Sequence, residues 1–454
     1  MRANVVVVSA VLTSWIVLAC TSEEVVGVEE PTIDAGDQDG GAPISPPDAS
    51  VQEAGYPEID AGRRPDVTCS QDPCYVAVSG NGGEHVCGLL KDGTVRCWGQ
   101  DSRARATDLP DGGRVEPDGA LGRGKVVSAL EGATPAPVVG LADVTQISVG
   151  RNLGTCARTS DGAVYCWGRN EFGQLGHTSA RHLPVPTRVE GLPPVSFVAL
   201  GATTGCAIAS SDGALHCWGT RGSLLGQLAA PGDSGAFPPQ VIPVFRPPVR
   251  ELAIGTHDEY LGVPFSDTIV TLGEGGVLAS LGEFAAGESS AQPMFSSWPR
   301  ELLGAARIGS FGYVDATGML STWIPDRRTL YIPGASSVVD VAISAGFAGP
   351  AFQRHLGGHI AQAGVLLSSG RLFRWGFNTG GALGYAPDEL EYAEQPIDVT
   401  PLVNGGVVSF ATTSASTCAS LVDGSVKCWG SNLRGELGRG TVDNVPHPEP
   451  EIIR

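Results

Sequence analysis

The sequence predicts an all-β chain, a seven-bladed β-propeller with four-stranded blades, its ring closed by the C-terminal strand and preceded by a signal peptide and a disordered tether. Three observations carry this. A hairpin turn ending in glycine recurs seven times, short apolar runs flank each copy, and four cysteine pairs sit at equivalent places beside those turns.

The clearest copy runs from Cys156 to Gly176. Two apolar-leaning runs flank Ser160-Asp161-Gly162, and a glycine third in the loop takes the positive φ that closes a bulged hairpin. Counting back evenly from Asp161 sets Cys156 opposite Cys166, with Trp167-Gly168 directly after. The other turns are Lys91-Asp92-Gly93, Ser211-Asp212-Gly213, Glu274-Gly275-Gly276, Ala316-Thr317-Gly318, Ser368-Ser369-Gly370 and Val422-Asp423-Gly424. Their period of roughly 50 residues belongs to large β repeats such as propeller blades. Trp-Gly follows again at Trp98, Trp218, Trp375 and Trp429, whereas the fourth copy has Leu281-Gly282 and the fifth Trp323-Ile324.

Ahead of each hairpin lies a second pair of strands, as in residues 137–150 and 186–201, so each unit offers four. The first unit lacks its leading strand. Residues 448–454 mimic the stretch starting at Pro184, and are expected to complete blade one and remove two exposed sheet edges.

Met1 to Ala19 has one early arginine, an apolar run and a small residue before Cys20, the pattern of a signal peptide. Val17-Leu18-Ala19-Cys20 resembles a bacterial lipobox, which implies lipidation of Cys20 and anchoring outside the cytoplasm, at the outer membrane or cell surface. Residues 21–68 carry twelve acidic residues against Arg63 and Arg64, and read as a solvated tether. Its acids lack the ordered spacing of a calcium loop. The expected division is 1–19 signal peptide, 20–68 tether and 69–454 propeller. No other segment is apolar enough to span a bilayer.

A net charge of -19 and a pI near 4.8 argue against a nucleic-acid partner, which needs clustered Lys and Arg. Of eleven cysteines, ten remain once Cys20 is set aside. Cross-strand placement pairs Cys87 with Cys97, Cys156 with Cys166, Cys206 with Cys217 and Cys418 with Cys428. Cys69 and Cys74 form a fifth bridge. Oxidised pairs fit an exported chain.

The repeated form Gly-x-x-x-x-Cys-Ala-x-x-x-Asp-Gly-x-Val-x-Cys-Trp-Gly-x-Asn-x-x-Gly-Gln-Leu-Gly resembles the regulator of chromosome condensation repeat family over residues 75 to 454. Residues Asn170 to Gly176, Asn378 to Gly384 and Asn432 to Gly438 match best, and the fourth and fifth copies are degenerate. The resemblance implies a seven-bladed propeller. It also implies guanine-nucleotide exchange, which export and disulfides oppose because that partner is intracellular.

Several fragments imitate catalytic motifs. Gly119 to Lys125 approaches a phosphate-binding loop, yet Val126 replaces the hydroxyl residue, so the segment reads as a displaced copy of the Leu-Gly blade linker. Gly232-Asp-Ser-Gly235 lacks a histidine context. His355 and His359 share helical spacing, but two glycines between them disfavour a helix. No catalytic residue, metal or cofactor is therefore assigned. Recognition is assigned to three insertions: residues 100–134 with Arg103, Arg105, Arg114, Arg123 and Lys125; 228–248 with Phe237 and Phe245; and 346–362 with Phe347, Phe352, Arg354, His355 and His359. The expected function is a monomeric, non-catalytic, extracytoplasmic scaffold for a protein partner. The alternatives are a carbohydrate-binding propeller and an enzyme using the central opening.

Overall fold

The computed structural model describes residues 63–70, 72–102, 118–220, 236–243, 245, 247–257, 266–282, 294–297, 305–309, 312–315, 317–322, 329–332, 337–345 and 360–453. Where a hairpin turn carries aspartate, that side chain satisfies the turn's own donors. Asp161 Oδ1 accepts from Ala163 N at 3.1 Å and Thr159 Oγ1 at 2.6 Å, and Gly162 takes a φ of 82°. Asp92 and Asp423 bond Thr94 and Ser425 in the same way.

Seven antiparallel sheets result, one for each turn. Blade one comprises Tyr75–Ser79, His85–Leu90, Val95–Gly99 and Ala136–Pro137, and blade two Val144–Val149, Gly154–Thr159, Val164–Arg169 and His182–Arg188. Blade three begins at Val195–Leu200, blade four at Val249–His257, blade five at Ala305–Gly309, blade six at Val338–Ala345 and blade seven at Val407–Thr413. Blades four and five, degenerate in sequence, keep all four strands.

Strand phasing corrects one expectation. The run ahead of each hairpin does not join that hairpin as its outer strand; it pairs with the hairpin before it, as Thr187 does with Cys166. His447–Ile452 accordingly pairs with Val426–Gly430 and finishes blade seven, and blade one already holds four strands. The C-terminal strand closes no other blade. The ring is joined instead by the short strand Asn81–Gly83, parallel to Val407–Thr413, and by an N-terminal strap. Thr68 N, Ser70 N and Tyr75 N donate to Val422 O, Asp423 O and Gly424 O, and Arg64 reaches Asp340 at 2.7 Å. The strap thus packs on the ring from Arg64 onward, ahead of Cys69.

The five expected bridges are present. The four hairpin pairs have Cα atoms 4.1 Å apart, the spacing of directly opposed, non-hydrogen-bonded residues. The core lies between blades: Trp167 of blade two packs with Cys87, Leu121 and Val95 of blade one, and Trp218 of blade three with Val164 and Leu175 of blade two. Every outermost strand described in blades one, two, three, six and seven carries proline, among them Pro137, Pro184, Pro239, Pro396 and Pro448. Proline removes ladder donors from the exposed edges.

Candidate binding face

The first strands of successive blades run side by side in one direction. Ser79 Oγ accepts from Val149 N, and Ser148 Oγ from Leu200 N, each at 3.0 Å. In every blade the first-to-second and third-to-fourth connections therefore share one face, called here the loop face. The Asp-Gly turns and the links to the next blade share the other, the turn face.

Residues 103–117, 221–235 and 346–359 each fall between strands that end on the loop face. The three insertions singled out from sequence thus enter and leave the ring on the same side, although residues 242–248 of the second lie on the turn face.

The roots of these connections are built from repeat residues. Trp98, Trp167, Trp218 and Trp429 donate Nε1 to Glu436 O, Ala120 O, Gln174 O and Ala382 O at 2.7–3.1 Å. Each indole reaches back to the previous blade, and Trp98 spans the join between blades seven and one. Ala120 holds in blade one the place of Gln174 in blade two, so Gly119 to Gly122 is the displaced blade linker and no phosphate loop. Asn170 Oδ1 accepts from Leu175 N at 2.8 Å while Nδ2 donates to His177 O and Ala180 O. Asn378 repeats this on Leu383, Tyr385 and Leu390. In blade one Asp101 substitutes, its two oxygens accepting from Leu121 N and Val127 N. Burial pushes that carboxyl up.

Three predicted partner-binding residues are used within the ring instead. Arg123 donates to Cys97 O, Thr134 O and Glu131 O, and Arg439 of blade seven repeats it on Cys428 O. Both are the arginine of a Leu-Gly-Arg-Gly run, which was the available sequence signal. Phe245 is buried against Leu215 and Ile254, and Phe237 packs on that cluster. Lys125 pairs with Glu131 at 2.8 Å. Cys20, Arg103, Arg105, Arg114, Phe347, Phe352, Arg354, His355, His359 and Gly232 to Gly235 lie outside the described residues.

One cluster holds the residue types of a hydrolase triad in the wrong order. Ser102 Oγ donates to Asp118 Oδ2 at 3.2 Å, and His182 Nδ1 lies 3.0 Å from Asp118 Oδ1. The serine faces the carboxylate, not the imidazole, so the serine–histidine contact of a triad is not made here. This set ties the blade-one connection to blade two. His85 Nε2 meets Thr155 Oγ1 at 2.8 Å, and the matching positions are Gly154, Thr204, Thr268, Gln362 and Ser416. No ring of titratable groups converges there among the described residues, and no set of three metal-ligating side chains is found among them.

A profile of the regulator of chromosome condensation (RCC1) repeat matches residues 161–208, and a second RCC1 repeat profile matches 75–104 and 144–174. The chain carries RCC1 repeats at these residues. Like it are the E3 ubiquitin-protein ligase HERC2 of Homo sapiens, 25% identical over 77% of this chain, and the ultraviolet-B receptor UVR8 of Arabidopsis thaliana, 24% identical over 84% of this chain and 70% of that protein. The chain spans only 6% of the length of HERC2. Among solved structures, Prp20p of Saccharomyces cerevisiae, described with binding to Gsp1p and histones, superimposes with a TM-score of 0.60 at 18% identity, covering 81% of this chain and 87% of that one. Yeast RCC1 (Prp20) bound by Kap60 gives 0.57 at 17% identity, covering 84% of this chain and 85% of that one. At these identities the likeness concerns the fold. Four of the seven hairpins of this propeller are bridged by disulfides.

Proposed function

We propose that this RCC1 propeller is a non-catalytic docking module that presents its loop face to a protein partner outside the cytoplasm, tethered to a membrane through lipid on Cys20. The observation that carries the reading is the division of labour between faces. The strap at residues 63–75 crosses the turn face, from Asp340 in blade six to Lys91 in blade one. The chain that would lead to the anchor thus departs on the turn face, and the insertions open on the opposite one. Rigid roots support this use, since indole and asparagine bonds fix where each connection starts. The family's solved propellers described with Gsp1p, histones and Kap60 show that related rings take protein partners. Proline on the outer edges favours a monomer.

The test is a cross-linking capture from intact cells with wild-type protein, with residues 103–117 removed, and with Cys20→Ser. The deletion spares Asp101 and Ala120, which hold the ring. Docking through the first insertion predicts loss of the captured partner with intact folding, and Cys20→Ser predicts release into the soluble fraction. A partner list unchanged by the deletion removes that insertion; membrane retention of Cys20→Ser without lipid refutes the anchor.

A further inference from the structure

Arg374 lies on Leu372–Phe377, the third strand of blade six, and is fully buried at the seam with blade seven. Its guanidinium stands 5.9 Å from the Phe410 ring centroid across that seam. Gly364 is opposite it in the sheet, and a Cβ there would come within 2.8 Å of Arg374 Cδ. The side chain fills space that glycine vacates. Nη2 donates to Gln362 Oε1 at 2.7 Å. Nε and Nη1 are buried and have no hydrogen-bond partner.

Three other inward-turned arginines each have a carboxylate, whereas Arg158, only half-buried, has none among the described residues. Arg439 reaches Glu451 at 3.5 Å, Arg169 reaches Glu171 at 2.6 Å, and Asp101 and Glu131 act on Arg123. Arg374 has none among the described residues. No Asp or Glu occurs from residue 341 to 387 or from 399 to 422, the stretches that form this seam. Asp398 is engaged by Arg371 and Asp340 by Arg64. Burial pushes the guanidinium down to about 9, which still leaves it charged at neutral pH.

A buried cation without a counter-charge is among the costliest groups a fold can hold, and unspent buried donors signal an occupant. Water would satisfy the donors but leave the charge. An anion does both.

We propose that the seam between blades six and seven binds one small monovalent anion, of chloride size, against the unspent donors of Arg374. Phe410, Gly364 and Gln362 are the neighbours recorded around the guanidinium, and its full burial favours a small anion over a larger organic one. A halide accepts N–H groups without demanding direction, which suits donors that a single planar carboxylate would have to approach through the core.

The test uses the full, oxidised chain. Urea unfolding is followed at fixed ionic strength as sodium chloride replaces sodium gluconate. The site predicts that the folding constant rises with chloride, by up to tenfold for each tenfold increase once chloride exceeds its dissociation constant. Arg374→Met should abolish that dependence. Crystals grown in bromide should show one anomalous peak beside Arg374. Equal stability in both salts with no bromide peak identifies water as the occupant and overturns the proposal, as does chloride dependence that survives Arg374→Met. Should that variant fail to fold, the wild-type salt series and the bromide peak decide.

Discussion

Glu436 stands in blade seven where Gln174 stands in blade two, and a single atom separates their effects. Gln174 Oε1 accepts from Phe172 N at 3.0 Å while its amide donates to Arg169 O at 2.7 Å. Glu436 Oε2 accepts from Arg434 N at 2.7 Å, but its second oxygen has a hydrogen to give only when protonated. Burial, with Glu84 adding to it, pushes the carboxyl up to about 7. Because the folded value exceeds the unfolded one, this group's contribution is complete below about pH 4.5 and is lost as pH rises through about 7, a swing of about 3 kcal/mol. Glu436→Gln should therefore raise stability at pH 8 by about 1–3 kcal/mol and flatten the slope between pH 5 and 8. Urea unfolding at pH 5, 6.5 and 8 checks it, and a slope equal to wild type refutes it. Asp101 is the converse case. Both its oxygens accept amide hydrogens, so a carboxylate suits the two-acceptor site where asparagine would set a donor against Val127 N.

At the scale of the hairpin, the cysteine spacing was legible because an even count around a glycine turn leaves one register. Cys206 and Cys217 show its tolerance, since an extra turn residue leaves their Cα separation at 4.1 Å. Each bridge closes a short loop, so the double substitution Cys156→Ala with Cys166→Ala should lower stability by about 2–3 kcal/mol. Calorimetry beside the reduced wild type measures it; a loss under about 0.5 kcal/mol would show that the buried Trp-centred packing alone holds blade two. Ownership of the fourth strand was less legible. An outer strand such as His182–Arg188 is preceded by one hairpin and followed by another, and its sequence pattern fits either; pairing is set by the connection, which Asn170 folds back on its own blade. Arg123 misled for a related reason. Positive charge in an acidic chain suggests a surface, whereas its guanidinium is used up on carbonyls, and only comparison with Arg439 reveals that.

At the scale of the whole ring, closure needs no exchanged strand, because blade one meets blade seven through the same indole bond that joins other neighbours. What the join has in addition is the strap. Cys69–Cys74 sits on the blade-seven turn so tightly that a Cβ on Gly424 would lie 2.8 Å from Cys74 Sγ. The bridge holds the donors at Thr68, Ser70 and Tyr75 in line with three successive carbonyls, and Cys74 O in turn takes Lys91 N of blade one. Cutting it should free the strap without melting the blades, as the Trp98 bond and the parallel strand remain. In Cys69→Ser with Cys74→Ser, hydrogen exchange should quicken at Ser70, Tyr75 and Lys91, while amides in Thr204–Ala209 of blade three keep their wild-type rates. Faster exchange throughout all blades would mean that the strap, and not the seam beneath it, closes the ring.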